Sequence, residues 1–444
     1  MTGRQREKIY KIAFVAMVSI IALLIVVALC VRAMGDKSAE TNAGATQQEI
    51  SSETATTASA KDSDTRGAAS AGDSDTRGAA SAKDSETRGK PETESGQDEK
   101  PEPEINLRMV GDILLHTPVE ESAKQEDGSY DFSSIFLNTR EDIEQADLAI
   151  VNQEVMIGGK ELGVSGYPAF NAPYEIADEL VETGFDLICH GSNHALDKGK
   201  KGILNCLDNW ETKYPEIGVV GINDSKEDRD NIYVYEKDGI KLAVLNYTYG
   251  TNGISLPSGM PYAVNLLEEN QVEKDIKKAH ELADFVVVCP HWGTEYSLEV
   301  SEEQKRWTKI FLDNHVDLVI GTHPHVIEKY EMISEGDKQM LVYYSLGNFV
   351  NWTSGQGAGV ANRMVGGMAD VTIGYDDKNR VVIKDYGVIP LVCHVTSGKG
   401  GVTVYKLEDY TPELAAQNQI ISQDSTFSYE YVKGLCEKIW PLEQ

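Results

Sequence analysis

The chain has 444 residues, with 41 basic and 71 acidic side chains and a formal net charge of −30 at pH 7. That balance excludes a nucleic-acid binder and simple electrostatic capture of an anionic polymer, so local positive charge has to come from a bound metal. The length allows one large domain or two ordinary ones, with accessory segments.

Ile12 to Val31 is a run of twenty residues without a charge. At about 1.5 Å per residue it is long enough to cross a hydrocarbon core of about 30 Å. Arg4, Arg6, Lys8 and Lys11 precede it and no convincing small-residue cleavage site follows. Residues 1–34 are therefore predicted as a cytoplasmic basic tip and a single uncleaved anchor in the cell membrane, with the main domain extracytoplasmic. Residues 35–104 are rich in Ser, Thr, Ala, Gly, Asp and Glu and contain no aromatic residue. An eleven-residue unit recurs there, at Ser59–Ala69, Ser70–Ala80 and, degenerately, from Ser81. Without an apolar stripe such a segment cannot bury enough surface to fold, and it reads as a disordered acidic linker.

From Ile105 short apolar runs alternate with helical patterns, which predicts βαβ units and a parallel sheet in a domain spanning 105–400. Candidate helices are Ala172–Thr183, Gly199–Lys213, Leu266–Leu282 and Glu302–His315. Asp147, Asp186, Asp284 and Asp317 each precede a strand, as where a chain turns out of a helix. Ile232–Glu236 and Lys241–Asn246 flank Asp238-Gly239, a hairpin signal. After Gly321 the runs Leu341–Tyr344, Met368–Ile373, Val381–Ile383 and Tyr386–Ile389 lack intervening helices and suggest a second, mainly antiparallel sheet packed on the first. Residues 401–444 read as a helical C-terminal extension. The six cysteines show no Cys-x-x-Cys spacing, and Cys189 and Cys289 read as buried strand residues.

Five of the runs end in metal-binding residue types. They lead into Gly111-Asp112, Asn152-Gln153-Glu154, His190-Gly191-Ser192-Asn193-His194, His291-Trp292-Gly293-Thr294-Glu295 and Gly321-Thr322-His323-Pro324-His325. An open α/β sheet assembles its site at the carboxyl ends of its strands, so Asp112, Glu154, Asn193, His194, His291, His323 and His325 are expected to converge. Five of the nine histidines, His190 among them, fall within these motifs, and a sixth, His116, follows the first of them by four residues. Imidazole and carboxylate without thiolate suit one or two divalent ions, Zn, Mn or Fe, and two ions need a bridging carboxylate. Pro324 and Gly321 argue for a loop in which His323 and His325 face one centre.

These motifs, with Asp197-Lys198-Gly199 and Tyr344-Ser-Leu-Gly-Asn-Phe349, resemble in order the CapA family of capsule (poly-γ-glutamate) synthesis proteins over about Ile105–Pro390. That family is similar to calcineurin-like metallophosphoesterases, which implies an α/β fold with a four-layer αββα sandwich. The resemblance further implies that Asp112 is the first-strand ligand, Glu154 the bridge, Asn193 and His291 ligands of one metal, and His323 and His325 ligands to the pair. His194 takes the place of the catalytic histidine. The first-strand Asp-x-His of the phosphoesterases is absent, since His116 lies four residues after Asp112. His116, Asp197 and Glu295 are accordingly expected behind the ligands, where Asp197 and Glu295 either orient histidines or cap helices. The implied activity is a metal-dependent hydrolase or transferase acting on an envelope polymer such as poly-γ-glutamate. The alternative is a non-enzymatic subunit of a capsule synthase or export complex.

Overall fold

The structure, a computed structural model, describes residues 103–440 apart from residue 337. The predicted membrane span and the repeat-bearing linker up to residue 102 lie outside the described residues. Among the described residues no helix is long and apolar enough to cross a membrane.

The strands β1 (Glu104–Ile113), β2 (Leu148–Asn152), β3 (Leu187–Cys189) and β4 (Gly218–Val220) run parallel in one sheet. β5 (Tyr233–Lys237) and β6 (Ile240–Thr248) form the expected hairpin, with Asp238 and Gly239 at φ of 51° and 88°. They open a second sheet, which β7 (Phe285–His291) and β8 (Leu318–Ile320) join in parallel. β9 (Tyr330–Glu335) and β10 (Lys338–Tyr343) complete it, in the order β5-β6-β7-β8-β10-β9. The chain then returns to the first sheet through β11 (Asn348–Val350), β12 (Val365–Tyr375), β13 (Val381–Val395) and β14 (Val402–Lys406).

This division corrects the expected one. The strand ends after β1, β2 and β3 belong to one sheet and those after β7 and β8 to the other; of the runs expected to form a separate antiparallel sheet, those of β12 and β13 extend the first sheet, while Leu341–Tyr343 of β10 joins the second, parallel to β8. The reason is the free edge of β1. Antiparallel β12 pairs along it from Glu104 opposite Gly374 to Val110 opposite Met368, which satisfies a row of backbone groups that would otherwise lie open.

Alternation along the strands builds the layers. Leu107, Leu148, Leu187, Leu242, Val287, Leu318 and Val371 point into one apolar layer between the two sheets. Their chain neighbours face outward. Val151 and Ile188 pack with Ile176, Leu180, Ile203 and Trp210 of helices Glu175–Thr183 and Gly199–Lys213. On the other side Ala243, Val286 and Val319 pack with Ile276, Ala279, Trp307 and Phe311 of helices Glu269–Leu282 and Glu302–Asp313. The result is a four-layer helix–sheet–sheet–helix α/β sandwich. All five described cysteines are buried and unpaired.

The four aspartates at strand starts do more than turn the chain. Each carboxylate accepts the backbone N–H of a residue at the start of the neighbouring strand: Asp147 from Asn106 (2.9 Å), Asp186 from Ala149 (2.8 Å), Asp284 from Lys241 (3.0 Å) and Asp317 from Val286 (2.8 Å). Each also donates its own N–H back to the carbonyl of that same residue. These paired bonds pin strand register at the amino ends, and register there fixes where the carboxyl ends finish.

The stretch expected as a helical extension from residue 401 instead opens on β14, an edge strand on β13. Helices Pro412–Gln417 and Tyr429–Ile439 follow it. Trp440 is fully buried, and its indole N–H donates to the Glu328 carbonyl at 2.8 Å. Trp440→Ala is expected to cost about 3–5 kcal/mol of stability, read as a lowered denaturation midpoint. A loss below about 1 kcal/mol would mean that the tail is dispensable to the fold.

Candidate metal centre

β1 delivers Asp112 under tight backbone constraint. A Cβ on Gly111 would stand 1.9 Å from the Gly347 carbonyl oxygen, so only glycine lets the Tyr344–Phe349 segment press against the strand. That same carbonyl accepts the Asp112 N–H at 3.0 Å. The Asp112 carboxylate accepts from Asn152 Nδ2 at 2.8 Å and from the His323 backbone N–H at 3.3 Å. Its Oδ2 is 3.2 Å from His325 Nδ1.

β2 is followed by Gln153 and Glu154. The Glu154 side chain is only 1% exposed, and neither carboxyl oxygen has a hydrogen-bond partner. What surrounds it is imidazole: His325 Nε2 at 3.6 Å, His291 Nε2 at 3.7 Å and His194 Nε2 at 3.9 Å from Oε1. The loop after β3 supplies Asn193 and His194. Asn193 Oδ1 is 2.8 Å from His291 Nε2.

From the second sheet, β7 ends on His291, whose Nδ1 meets Thr322 Oγ1 at 3.0 Å. Beyond β8, His323 and His325 stand at φ of 99° and 58°, in the left-handed region that non-glycine residues rarely adopt. An extended segment would send alternate side chains to opposite faces. Here both imidazoles join the same cluster, and a few kcal/mol of backbone strain of this kind is characteristic of functional loops. His323 Nδ1 is buried without a partner.

Three overlapping sets have ligand atoms within 4.8 Å of one another: Glu154, His291 and His323; Asp112, Glu154 and His325; and Glu295, His323 and His325. Glu154 lies in the first two sets, as a bridging carboxylate would. The unpartnered oxygens of Glu154 and the unpartnered nitrogen of His323 are what a cation-binding site leaves behind when only protein atoms are considered, since uncompensated buried acceptors are otherwise costly. The donor set is nitrogen and oxygen without sulfur, which fits a divalent ion of the Zn, Mn or Fe type.

The electrostatics agree. Burial, then the neighbouring histidines, holds His291 and His323 well below the usual imidazole range, so both are neutral and their lone pairs are available. Burial, reinforced by Asp112, drives the Glu154 carboxyl well above the usual carboxylate range. Burial lowers His325, yet the carboxylates of Glu154 and Asp112 outweigh it and push that residue up to about 9. In the metal-free protein the His325–carboxylate cluster therefore keeps a proton that a cation has to displace.

The remaining predicted residues fall into place around this cluster. His194 Nδ1 is 2.7 Å from Asp197 Oδ2, which also accepts the Phe170 N–H at 2.7 Å. Asp197 thus orients His194 and does not cap the following helix. Glu295, expected behind the ligands, is exposed and brings a carboxylate oxygen into the direct donor set with His323 and His325. His116 belongs to none of the three sets; it is half-buried with its ring edge on Phe170, and burial followed by His325 and His194 pushes it down to about 4.

Several contributors escaped the sequence reading. Asn348 Oδ1 is 3.0 Å from His325 Nδ1, and its amide donates to the His325 and Arg363 carbonyls. Its signal was present in the Tyr344–Phe349 motif. Asn252 accepts from Asn193 Nδ2 at 3.2 Å from a loop that carries no recognisable pattern.

Glu154→Ala is expected to weaken Mn or Zn binding by about a hundredfold or more, while Glu295→Ala costs about tenfold or less. Titration followed by elemental analysis checks both. Because the cluster proton leaves on binding, wild-type metal affinity is expected to rise with pH up to about 9. Calorimetry in buffers of different ionisation enthalpy should register proton release, and pH-independent affinity with no release would contradict the assignment.

Residues 106–353 match the model of the family described as bacterial capsule synthesis protein PGA_cap. The capsule biosynthesis protein CapA of Bacillus anthracis is 28% identical over 262 residues, 56% of this chain and 61% of that protein. The PGA biosynthesis protein CapA of Bacillus subtilis (strain 168) is 26% identical over 267 residues, 56% of this chain and 64% of that protein. The chain thus matches a little over three-fifths of the length of these curated relatives. Among solved structures, the NAD nucleotidase of Haemophilus influenzae is similar with a TM-score of 0.42 and 12% identity, covering 76% of this chain and 66% of that one. With its family match spanning the strand ends that carry the donor cluster, the chain belongs to the bacterial capsule synthesis protein family PGA_cap.

Proposed function

We propose that the chain is a membrane-anchored, extracytoplasmic, metal-dependent hydrolase or transferase of the metallophosphoesterase type, acting on an envelope polymer such as poly-γ-glutamate. The observation that carries this reading is the Glu154 carboxyl, buried, without a hydrogen-bond donor and ringed by His194, His291 and His325. The family membership and the printed names of the relatives support the link to a capsule polymer. The apolar run of residues 12–31 and the basic residues before it support the anchor.

A divalent ion, when bound, supplies Lewis acidity toward a substrate oxygen and toward attacking water. Asp112, Glu154, Asn193, His291, His323 and His325 would hold it, with Glu154 placed to serve two ions. His194 is the group left to move a proton. The Asp197 carboxylate accepts from Nδ1, which leaves Nε2 turned toward the centre, 3.9 Å from Glu154 Oε1. An imidazole oriented in this way can give a proton to a leaving oxygen or nitrogen. Phe170, whose ring packs edge-on against that of His194 with centroids 4.7 Å apart, hinders its rotation and covers that side.

The second reading is a subunit of a membrane polymer synthase in which the centre binds the carboxylates of the polymer without turnover. The relatives' names, which speak of biosynthesis, favour it.

His194→Ala is expected to lower turnover of manganese-loaded protein on a phosphodiester or γ-glutamyl substrate by about a hundredfold or more while metal content stays unchanged. Asp197→Asn should lower it by about tenfold or more, with a shifted pH profile. Full metal occupancy without turnover on any envelope substrate would favour the subunit reading. In cells, Asp112→Ala that alters polymer length indicates cutting or transfer, and one that abolishes polymer altogether indicates an assembly role.

A further inference from the structure

Arg363 stands apart from every other arginine of the described residues. Arg108 pairs with Asp370, Arg140 with Glu179, Arg229 with Asp275, Arg306 with Glu303 and Glu269, and Arg380 with Asp376. Arg363 has no carboxylate partner among the described residues, although the chain carries 71 acidic side chains against 41 basic ones. Its Nε is buried and without a hydrogen-bond partner.

Two contacts place it beside the donor cluster. Its backbone carbonyl accepts from Asn348 Nδ2 at 2.9 Å, and the Oδ1 of that asparagine lies 3.0 Å from His325 Nδ1. Its guanidinium carbon sits 3.6 Å from the ring centroid of Tyr296. Tyr296 is itself fixed by a backbone N–H donated to the Pro324 carbonyl at 2.7 Å, and its ring is 6.0 Å from that of His325. The planar fork is thereby held by stacking on one face, leaving its N–H edges for a ligand. In a strongly acidic protein, a fixed guanidinium that pairs with none of the described carboxylates has the form of a subsite for an incoming oxyanion.

We propose that Arg363, stacked on Tyr296, is the specificity-determining residue of the centre: it binds an oxyanion of the substrate, carboxylate or phosphoryl, and so positions the neighbouring bond at the metal. This deepens the function proposed above and rests on it for the identity of the reacting bond. The carboxylate and phosphoryl sources share one chemistry, two oxygens that a guanidinium fork can engage together.

The test reads binding, not turnover. The full chain is titrated with γ-glutamyl-glutamate, with the same dipeptide bearing carboxamides in place of its carboxylates, and with inorganic phosphate, each with and without manganese. Arg363→Ala is expected to weaken one of the anionic probes about tenfold and to leave the carboxamide within about twofold. Arg363→Lys should recover part of the loss, and Arg380→Ala, which removes a paired surface arginine, should leave the binding of both anions unchanged. Loss confined to the dipeptide identifies a carboxylate subsite, and loss confined to phosphate a phosphoryl subsite. Equal loss for the carboxamide, or unchanged affinity for both anions, overturns the proposal. If Arg363→Ala melts below the wild type, Arg363→Gln, which keeps the planar stack without the charge, replaces it. Failure of manganese to bind the wild type would defeat the metal reading, whereas the manganese-free titrations still judge Arg363.

Discussion

A carboxyl group that is buried and given no hydrogen-bond donor is the constraint around which this domain is organised. Removing an ionised carboxylate from water costs several kcal/mol unless a counter-charge is close. At Glu154 the compensation comes from imidazoles carried by both sheets, the nearest being His325 at 3.6 Å. Those imidazoles cannot all be charged, since burial holds His291 and His323 neutral. Protein atoms alone thus leave the Glu154 carboxyl oxygens without donors, a gap that a cation would fill. The strained backbone at His323 and His325, the glycine at 111 that admits a carbonyl at van der Waals distance, and the Asn348 contacts all hold this group of atoms together against its own repulsions.

Much of this was legible in the residue order, for a physical reason. A parallel strand buried on both faces needs a continuous apolar run, and its carboxyl end is where the chain turns polar, so a run followed by Asp, Asn or His marks both the strand and the site edge. The helices Gly199–Lys213 and Glu302–Asp313 were equally plain, because their apolar faces and their ends are local properties. The partition of strands was not. Whether β12 pairs with β1 or with β8 depends on contacts between residues more than two hundred positions apart, and local pattern is silent on pairing across such distances. The same limit hid Asn252, which meets Asn193 from a loop without periodicity, and Arg363, which lies in a single 3-10 turn, Ala361–Met364.

The aspartates at the strand starts show a related misreading. Their position before each strand was visible, and a turn was the local explanation. Their role as acceptors for the neighbouring strand's amide appears only once the sheets are assembled. They act at the end of each strand opposite the chemistry. Register, and with it the reach of each donor, is thus set by groups that never approach the centre.

Because the donors are divided between the sheets, with Asp112, Glu154 and Asn193 following strands of one and His291, His323 and His325 following strands of the other, the centre lies across a seam. The aspartate bonds hold strands within a sheet; sheet to sheet, the apolar layer is joined by a few polar links, such as the Tyr343 hydroxyl donating to the Gly387 carbonyl at 2.7 Å and the Tyr235 hydroxyl to the Asp147 carbonyl at 2.6 Å. In mechanical terms a bound cation would be a further clasp at one end of that seam. Sub-ångström shear between the layers would be felt first as a change in coordination, which makes the centre a gauge of how well the two halves of the sandwich are seated.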